Sequence, residues 1–164
     1  MTTSNGTLTA KKYKTITIER TFNLPLDIVW KAWTDEESFK KWWGPKEYTC
    51  SNCTIDFKEG GKYLNSMKAA DGKELWSTGT YKEIIPQQKI VYTDSFADSE
   101  GNVVASSYYK MPDMPMELVV TVSFEEVDGK TNMVMEQAGV PVEIGDDCIK
   151  GWQSSFDKME SNVK

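Results

Sequence analysis

The sequence predicts an α+β domain in which a curved antiparallel sheet of about seven strands wraps one long C-terminal helix. Three observations carry that prediction. From Thr15 onward, runs alternating with period two recur between Gly, Asp-Gly and Pro signals. Two short helical segments interrupt them after the first run. Past Pro141 the period becomes helical and stays so to the end.

In order, residues 1–14 are polar throughout and are expected to form a frayed tail before a single domain over residues 15–164. Thr15 to Phe22 is the first strand, with Ile16, Ile18, Arg20 and Phe22 on one face. Pro25 suits a first helical residue, and Val29, Trp30 and Trp33 follow at helical spacing. Thr34 and Glu37 read as a capping box opening a second short helix from Asp35. Gly44-Pro45 stops it. Four of the six tryptophans, Trp30, Trp33, Trp42 and Trp43, fall in this unit. Two-turn helices do not persist alone in water, so they must plug one end of something larger.

Six further strands are expected at Tyr48–Phe57, Lys62–Ala69, Glu74–Ile85, Lys89–Phe96, Glu117–Val127 and Thr131–Gln137. Gly60-Gly61, Asp71-Gly72 and Asp128-Gly129 serve as turns. The stretch from Ala97 to Pro115 is irregular and long enough to be functional or mobile. Its methionines Met111 and Met114, with Met116 just beyond, could form an adaptable lid. The terminal helix runs from about Val142, with Cys148, Trp152, Phe156, Met159 and Val163 as one apolar stripe. Asp146 and Asp147 sit where a helix N-terminus favours negative charge. Hairpin-linked strands cannot bury both faces alone, so the long helix must lie across the concave face. Such a helix-grip arrangement leaves an interior cavity wherever bent sheet and straight helix do not mate.

Composition excludes several function classes. The chain contains no histidine, which removes imidazole acid/base chemistry and His-ligated metals. Arg20 is its single arginine, so no arginine cluster can read phosphate. A net charge of −6 argues against nucleic acid. No apolar run reaches the roughly 20 residues of a membrane span, and no secretory leader is evident. The three cysteines, Cys50, Cys53 and Cys148, are expected to be reduced, which fits a cytoplasmic protein.

The opening IERTFNLPLDIVWKAWTDEESFKKWWGP, then IDFKEGGKYLNSM, GTYKEIIPQQKIVYTDSF, TVSFEEVDGKTNM and GWQSSFDKME together resemble the START-like (SRPBCC) superfamily. Within it the nearest likeness is to the AHSA-like family, named after the activator of the heat-shock-protein ATPase. The ordered succession of WWGP, GG, G-T-Y-x-E-I-x-P and G-W covers residues 14–164. The resemblance implies a hydrophobic cavity rather than a reaction. Family relatives bind lipids or other hydrophobic small molecules, and some superfamily relatives are cyclases or aromatases. The family pattern carries His before Ala138-Gly139, where this chain has Gln137.

Candidate ligand-binding residues are Trp43, Tyr63, Met67, Tyr81 and Tyr92, together with Phe124, Met135, Trp152, Phe156 and Arg20. For any one aromatic, ordinary core is the favoured alternative, while several of them are expected to border a common cavity. Tyr63 and Tyr81 follow glycines in GGKY and GTY, which suits an inward ring. Only Trp42 or Trp43 of the helical plug is expected to reach a ligand. Arg20 on an apolar face needs a carboxylate, with Glu136 the candidate partner, or else a ligand anion. Cys50 and Cys53 lie three apart in a strand and should point to opposite faces, as incidental thiols.

The chain is therefore expected to be a cytoplasmic binding protein for a small hydrophobic molecule or lipid, without cofactor, metal or catalytic residues. A co-chaperone module stimulating a chaperone ATPase and a histidine-free cyclase or hydrolase stay open as alternatives. No domain that could serve as a second chaperone-binding unit is expected before Thr15. Homodimerisation also stays open.

Overall fold

The computed structural model describes residues 12–163. In chain order it contains β1 (Tyr13–Phe22), α1 (Leu26–Thr34), α2 (Glu36–Lys40), β2 (Thr49–Ile55), β3 (Lys62–Lys68), β4 (Glu74–Ile85) and β5 (Lys89–Ala97). A 3-10 turn at Ser106–Tyr109 precedes β6 (Leu118–Val127) and β7 (Lys130–Pro141), and a second at Val142–Ile144 leads into α3 (Gly145–Asn162). Most of the expected N-terminal tail, residues 1–11, lies outside the described residues, and the first strand starts two residues before Thr15.

The seven strands form one antiparallel sheet in the order β1-β7-β6-β5-β4-β3-β2, so the helix-grip architecture is present. Register shifts at Lys14/Ile16, Thr49/Asn52 and Tyr81/Glu83 bend individual strands, as bulges do, and contribute to the sheet's curvature. Inward residues meet in rows across it. Ile16, Gln137, Val120, Tyr92 and Tyr81 face one another on successive strands, as do Ile18, Met135, Val122 and Ile90. The β6–β7 hairpin turns through Asp128 and Gly129, both at positive φ (53° and 77°), the geometry a two-residue primed turn requires.

α3 supplies the second layer. Phe156 and Met159 are fully buried, and Phe156 meets Phe22 edge-on at 5.9 Å. Burial of a side chain of that size stabilises the fold by roughly 1.5–3 kcal/mol. The α1–α2 plug closes the sheet as its tryptophans suggest. Trp42 is wholly buried and its indole N–H donates to the Ala32 carbonyl at 2.8 Å. Lys158 on α3 reaches back to this plug. Its ammonium donates to the carbonyls of Gly44 (2.9 Å) and Tyr48 (2.8 Å), fixing the turn where Gly44 adopts φ +94°.

Three local expectations are corrected. The cap of α2 is Asp35, whose carboxylate accepts the Ser38 N–H at 3.0 Å. Thr34 is still the last residue of α1, and its hydroxyl bonds back to the Trp30 carbonyl. Pro25 is the extended N-cap of α1 rather than its first helical residue. Arg20 does not pair with Glu136, which stands opposite Thr17 on the outer face of the sheet. It bonds across to α3 instead, to Asp157 (2.7 Å), Glu160 (3.2 Å) and Gln153 Oε1 (3.0 Å).

Candidate functional site

Where α3 parts from the sheet, a cavity of about 210 Å³ opens. This is the liquid volume of about seven waters. Four regions wall it. The sheet contributes Met67, Ser77, Asp94, Phe96, Leu118 and Gln137, with Ser95 beside them. The helix contributes Cys148, Gly151, Trp152 and Ser155, preceded by Ile144. The plug contributes Trp43, Gly44 and Pro45, and the 97–117 connection contributes Met111, Met114 and Pro115.

The terminal helix shows why the cavity forms here. Its apolar stripe divides in two. Phe156 and Met159 are locked into the core, whereas Trp152 and Cys148, one and two turns before Phe156, are only half-buried because they face the cavity. The irregular connection that forms one wall is itself held down. Tyr109 donates its hydroxyl to the Ala97 carbonyl and accepts the Trp76 N–H at 3.1 Å. The Met114 N–H is bound by Ser106 Oγ at 3.2 Å. Met116 stays outside, about half exposed.

Polar groups are few and concentrated. Strand alternation in β5 puts Asp94 on the same face as Ile90 and Tyr92, so a carboxylate enters an apolar interior. Its Oδ1 accepts the Tyr63 hydroxyl at 2.8 Å, a proton shared with the Thr93 carbonyl at 3.0 Å. Asp94 is half-buried, and it faces the cavity that it lines. Burial pushes its carboxyl up from 3.8 to about 6, and the Tyr63 bond only partly offsets that. Burial also holds Tyr63 and Tyr92 well above the ordinary phenol range, so both stay neutral donors near pH 7.

Tyr63 reaches Asp94 because of Gly79, directly opposite it on β4. A Cβ at that glycine would lie 1.8 Å from the Thr93 carbonyl oxygen and 2.7 Å from the Tyr63 ring. Gln137 is a second ordered polar group in the sheet wall. Its Oε1 accepts the Trp152 indole N–H at 2.9 Å, and since indole can only donate, the amide orientation is fixed.

Deeper inside, a void of about 10 Å³ lies among Trp33, Trp43, Tyr63, Asn65 and Tyr92, sharing Trp43 with the main cavity. Three of the residues around it, Trp33, Trp43 and Asn65, carry buried polar atoms (two indole N–H groups and both amide atoms) with no hydrogen-bond partner among the described residues. Such orphaned groups each cost roughly 1–3 kcal/mol. The void is the size of one water.

Of the residues expected to bind ligand, Trp43, Met67 and Trp152 line the main cavity, and Tyr63, Tyr81 and Tyr92 surround the inner void with Trp43. Phe124, Met135 and Phe156 are packed into the core instead, and Arg20 sits in its ion-pair network at the β1–α3 contact. Trp33, expected to be purely core, borders the void. Asp94, Asn65, Gly151 and Ser155 were not anticipated. For Asp94 the signal was present: it is the one acid in phase with Ile90 and Tyr92 in KIVYTDSF.

The cysteine expectation is corrected too. The bulge between Thr49 and Asn52 resets strand parity, so Cys50 and Cys53 both lie against the core. The Cys53 thiol donates to Cys50, holding Cys50 below the usual thiol range while Cys53 is pushed far up.

Chemically, the cavity offers a partly titrating carboxylate, held from behind by the Tyr63 phenol, and aromatic walls. Among the described residues no group of three or more His, Cys, Asp or Glu side chains could hold a metal ion. No helix among them is long and apolar enough to cross a membrane.

The fold recurs in solved structures. A Chromobacterium violaceum protein is 26% identical with a TM-score of 0.73, covering 92% of this chain and 96% of its own. A Staphylococcus epidermidis protein is 26% identical with a TM-score of 0.71, covering 94% of this chain and 92% of its own. The AHSA1 protein of Silicibacter pomeroyi, at 19% identity, shares the fold with a TM-score of 0.71 over 90% of this chain and 95% of its own. No curated protein matches the chain. The family model described as "Activator of Hsp90 ATPase homolog 1-like protein" matches residues 23–164, the stretch that builds the plug, most of the sheet and the gripped helix. The chain belongs to that family, within the START-like superfamily.

Proposed function

We propose that this protein binds a small hydrophobic or amphipathic molecule in the cavity between sheet and α3. One observation carries the reading: the cavity has mainly apolar walls and a few polar groups, the pattern of a site that takes an apolar body and orients it by a polar end. Family membership supports the same reading, and three free thiols suit a cytoplasmic setting. Native mass spectrometry of the purified protein with indole, phenethyl alcohol, medium-chain fatty acids and lysophospholipid tests it. A stoichiometric complex with at least one compound is expected. Failure of every compound to bind would sink the reading.

A second reading is a protein-interaction role towards a chaperone ATPase. The family description favours it, as do Val103, Tyr108, Met111 and Met116, apolar side chains exposed along one connection. Stimulation of a purified Hsp90-type ATPase by this protein separates the two, because a small-molecule binder leaves turnover unchanged. The Asp94–Tyr63 pair also meets the geometric requirement of the enzymatic alternative, a carboxylate within hydrogen-bond reach of a phenol at the cavity.

A further inference from the structure

Resting on the cavity reading above, we propose that the ligand carries a protonated amine, seated against Asp94 at the cavity wall.

Charge accounting in the cavity leads there. Asp94 is the one ionisable acid among the described residues that line it, and no lysine or arginine lines it. Cys148 is the remaining titratable group in the wall, and burial keeps it a neutral thiol. Oδ1 of Asp94 takes the Tyr63 hydroxyl, and no hydrogen bond to Oδ2 is made among the described residues. A half-buried carboxylate with one neutral donor and no charge partner is under-compensated on its cavity side, since desolvated charges are stabilised by pairing and hydrogen bonding. Among the described residues no lysine or arginine faces Asp94. Arg20 is committed to Asp157 and Glu160, and Lys158 to the plug carbonyls. The pairing charge must therefore arrive with the occupant.

The walls suit such an occupant. Trp43, Trp152 and Phe96 line the same space, and aromatic faces attract a cation as well as an apolar body. A fatty acid or a phosphate ester would place like charge beside Asp94 with no cation to receive it. The volume limits the molecule to one ring or a short chain.

The test uses three probes of matched shape at about pH 8, where Asp94 is ionised: phenethylamine, phenethyl alcohol and phenylacetate, titrated calorimetrically into the full chain. Phenethylamine is expected to bind about tenfold or more tighter than the alcohol, with phenylacetate weakest. Asp94→Asn keeps an acceptor for Tyr63 and removes the charge. It should cost the amine about tenfold while leaving the alcohol within about twofold. Asp94→Ser gives the same comparison if the first variant does not fold. Equal affinity for amine and alcohol in the wild type, a preference for phenylacetate, or an amine preference that survives loss of the carboxylate each overturns the proposal and leaves the cavity reading standing. Silence of all three probes overturns the proposal, and the cavity reading falls with it when indole and the lipids are silent too.

Discussion

Asp94 concentrates the consequences at the scale of a single residue. Its carboxyl is raised in the folded state, so the native protein holds that proton more tightly than the unfolded chain. For an acid shifted upward, the sign is a penalty on folding. It is absent below about 3.8, grows as pH rises to about 6, and is constant above. The shift corresponds to at most about 3 kcal/mol, less whatever solvent in the cavity screens. Asp94→Asn should therefore be more stable than wild type near pH 7, with the gap closing towards pH 4. Chemical denaturation of both proteins at the two pH values checks this, and a gap that does not change with pH would remove Asp94 as its source. Arg20 behaves oppositely. Its bonds tie β1 to α3 away from the cavity, so Arg20→Ala should cost about 2 kcal/mol of stability and leave probe affinity of the folded fraction unchanged. A selective loss of binding at full stability would make Arg20 a ligand contact. Period-two parity made both residues readable, since each is a charge on an apolar strand face. Their partners were not readable, because partners come from tertiary register. Arg20 looked closest to Glu136 on the neighbouring strand, yet a one-residue change of parity puts Glu136 on the other side of the sheet.

Elements follow the same division between periodic signal and local exception. The strands and α3 were legible because alternation, Asp-Gly turns and a helical stripe repeat over many residues. The exceptions are single-residue events with no periodic trace. The bulge in β2 turned Cys50 and Cys53 to one side, and Asp35 took the capping role that Thr34 seemed placed for. Gly79 is where an element's geometry decides the site. Its missing side chain lets β4 pass beneath the Tyr63 ring, which carries the phenol to Asp94. Because the first obstacle to a Cβ there is backbone rather than a flexible side chain, Gly79→Ala should destabilise by about 3 kcal/mol or more. It should also release Tyr63 from its hydrogen bond. Thermal melting and the tyrosine ultraviolet difference spectrum report the two effects together. A variant that melts with wild type would show that β4 can shift to make room.

For the whole molecule, the helix-grip order implied a cavity before any geometry was known, because a straight helix cannot follow a bent sheet along its full length. Its polar composition is hidden in the sequence, since residues from four regions converge on it and, of the candidate ligand-binding residues, Trp43, Met67 and Trp152 line it, with Met111 and Met114 of the expected lid. Gly151 offers the most direct test of whether this space is a binding site. It lies on α3 facing the cavity, and a Cβ there would meet only Pro45 Cγ, at 3.7 Å, within 4 Å. A Cβ is therefore tolerated at this position, and leucine is expected to project into the cavity that Gly151 lines. Replacing a helix-interior glycine should also raise stability by up to about 1 kcal/mol. Calorimetric titration of indole into wild type and Gly151→Leu is the measurement. Saturable binding to the wild type and its loss, by tenfold or more, in a variant that melts no lower are the predicted result. Equal affinity in the two proteins would contradict the account, because the ligand would then be bound somewhere other than the cavity between sheet and helix.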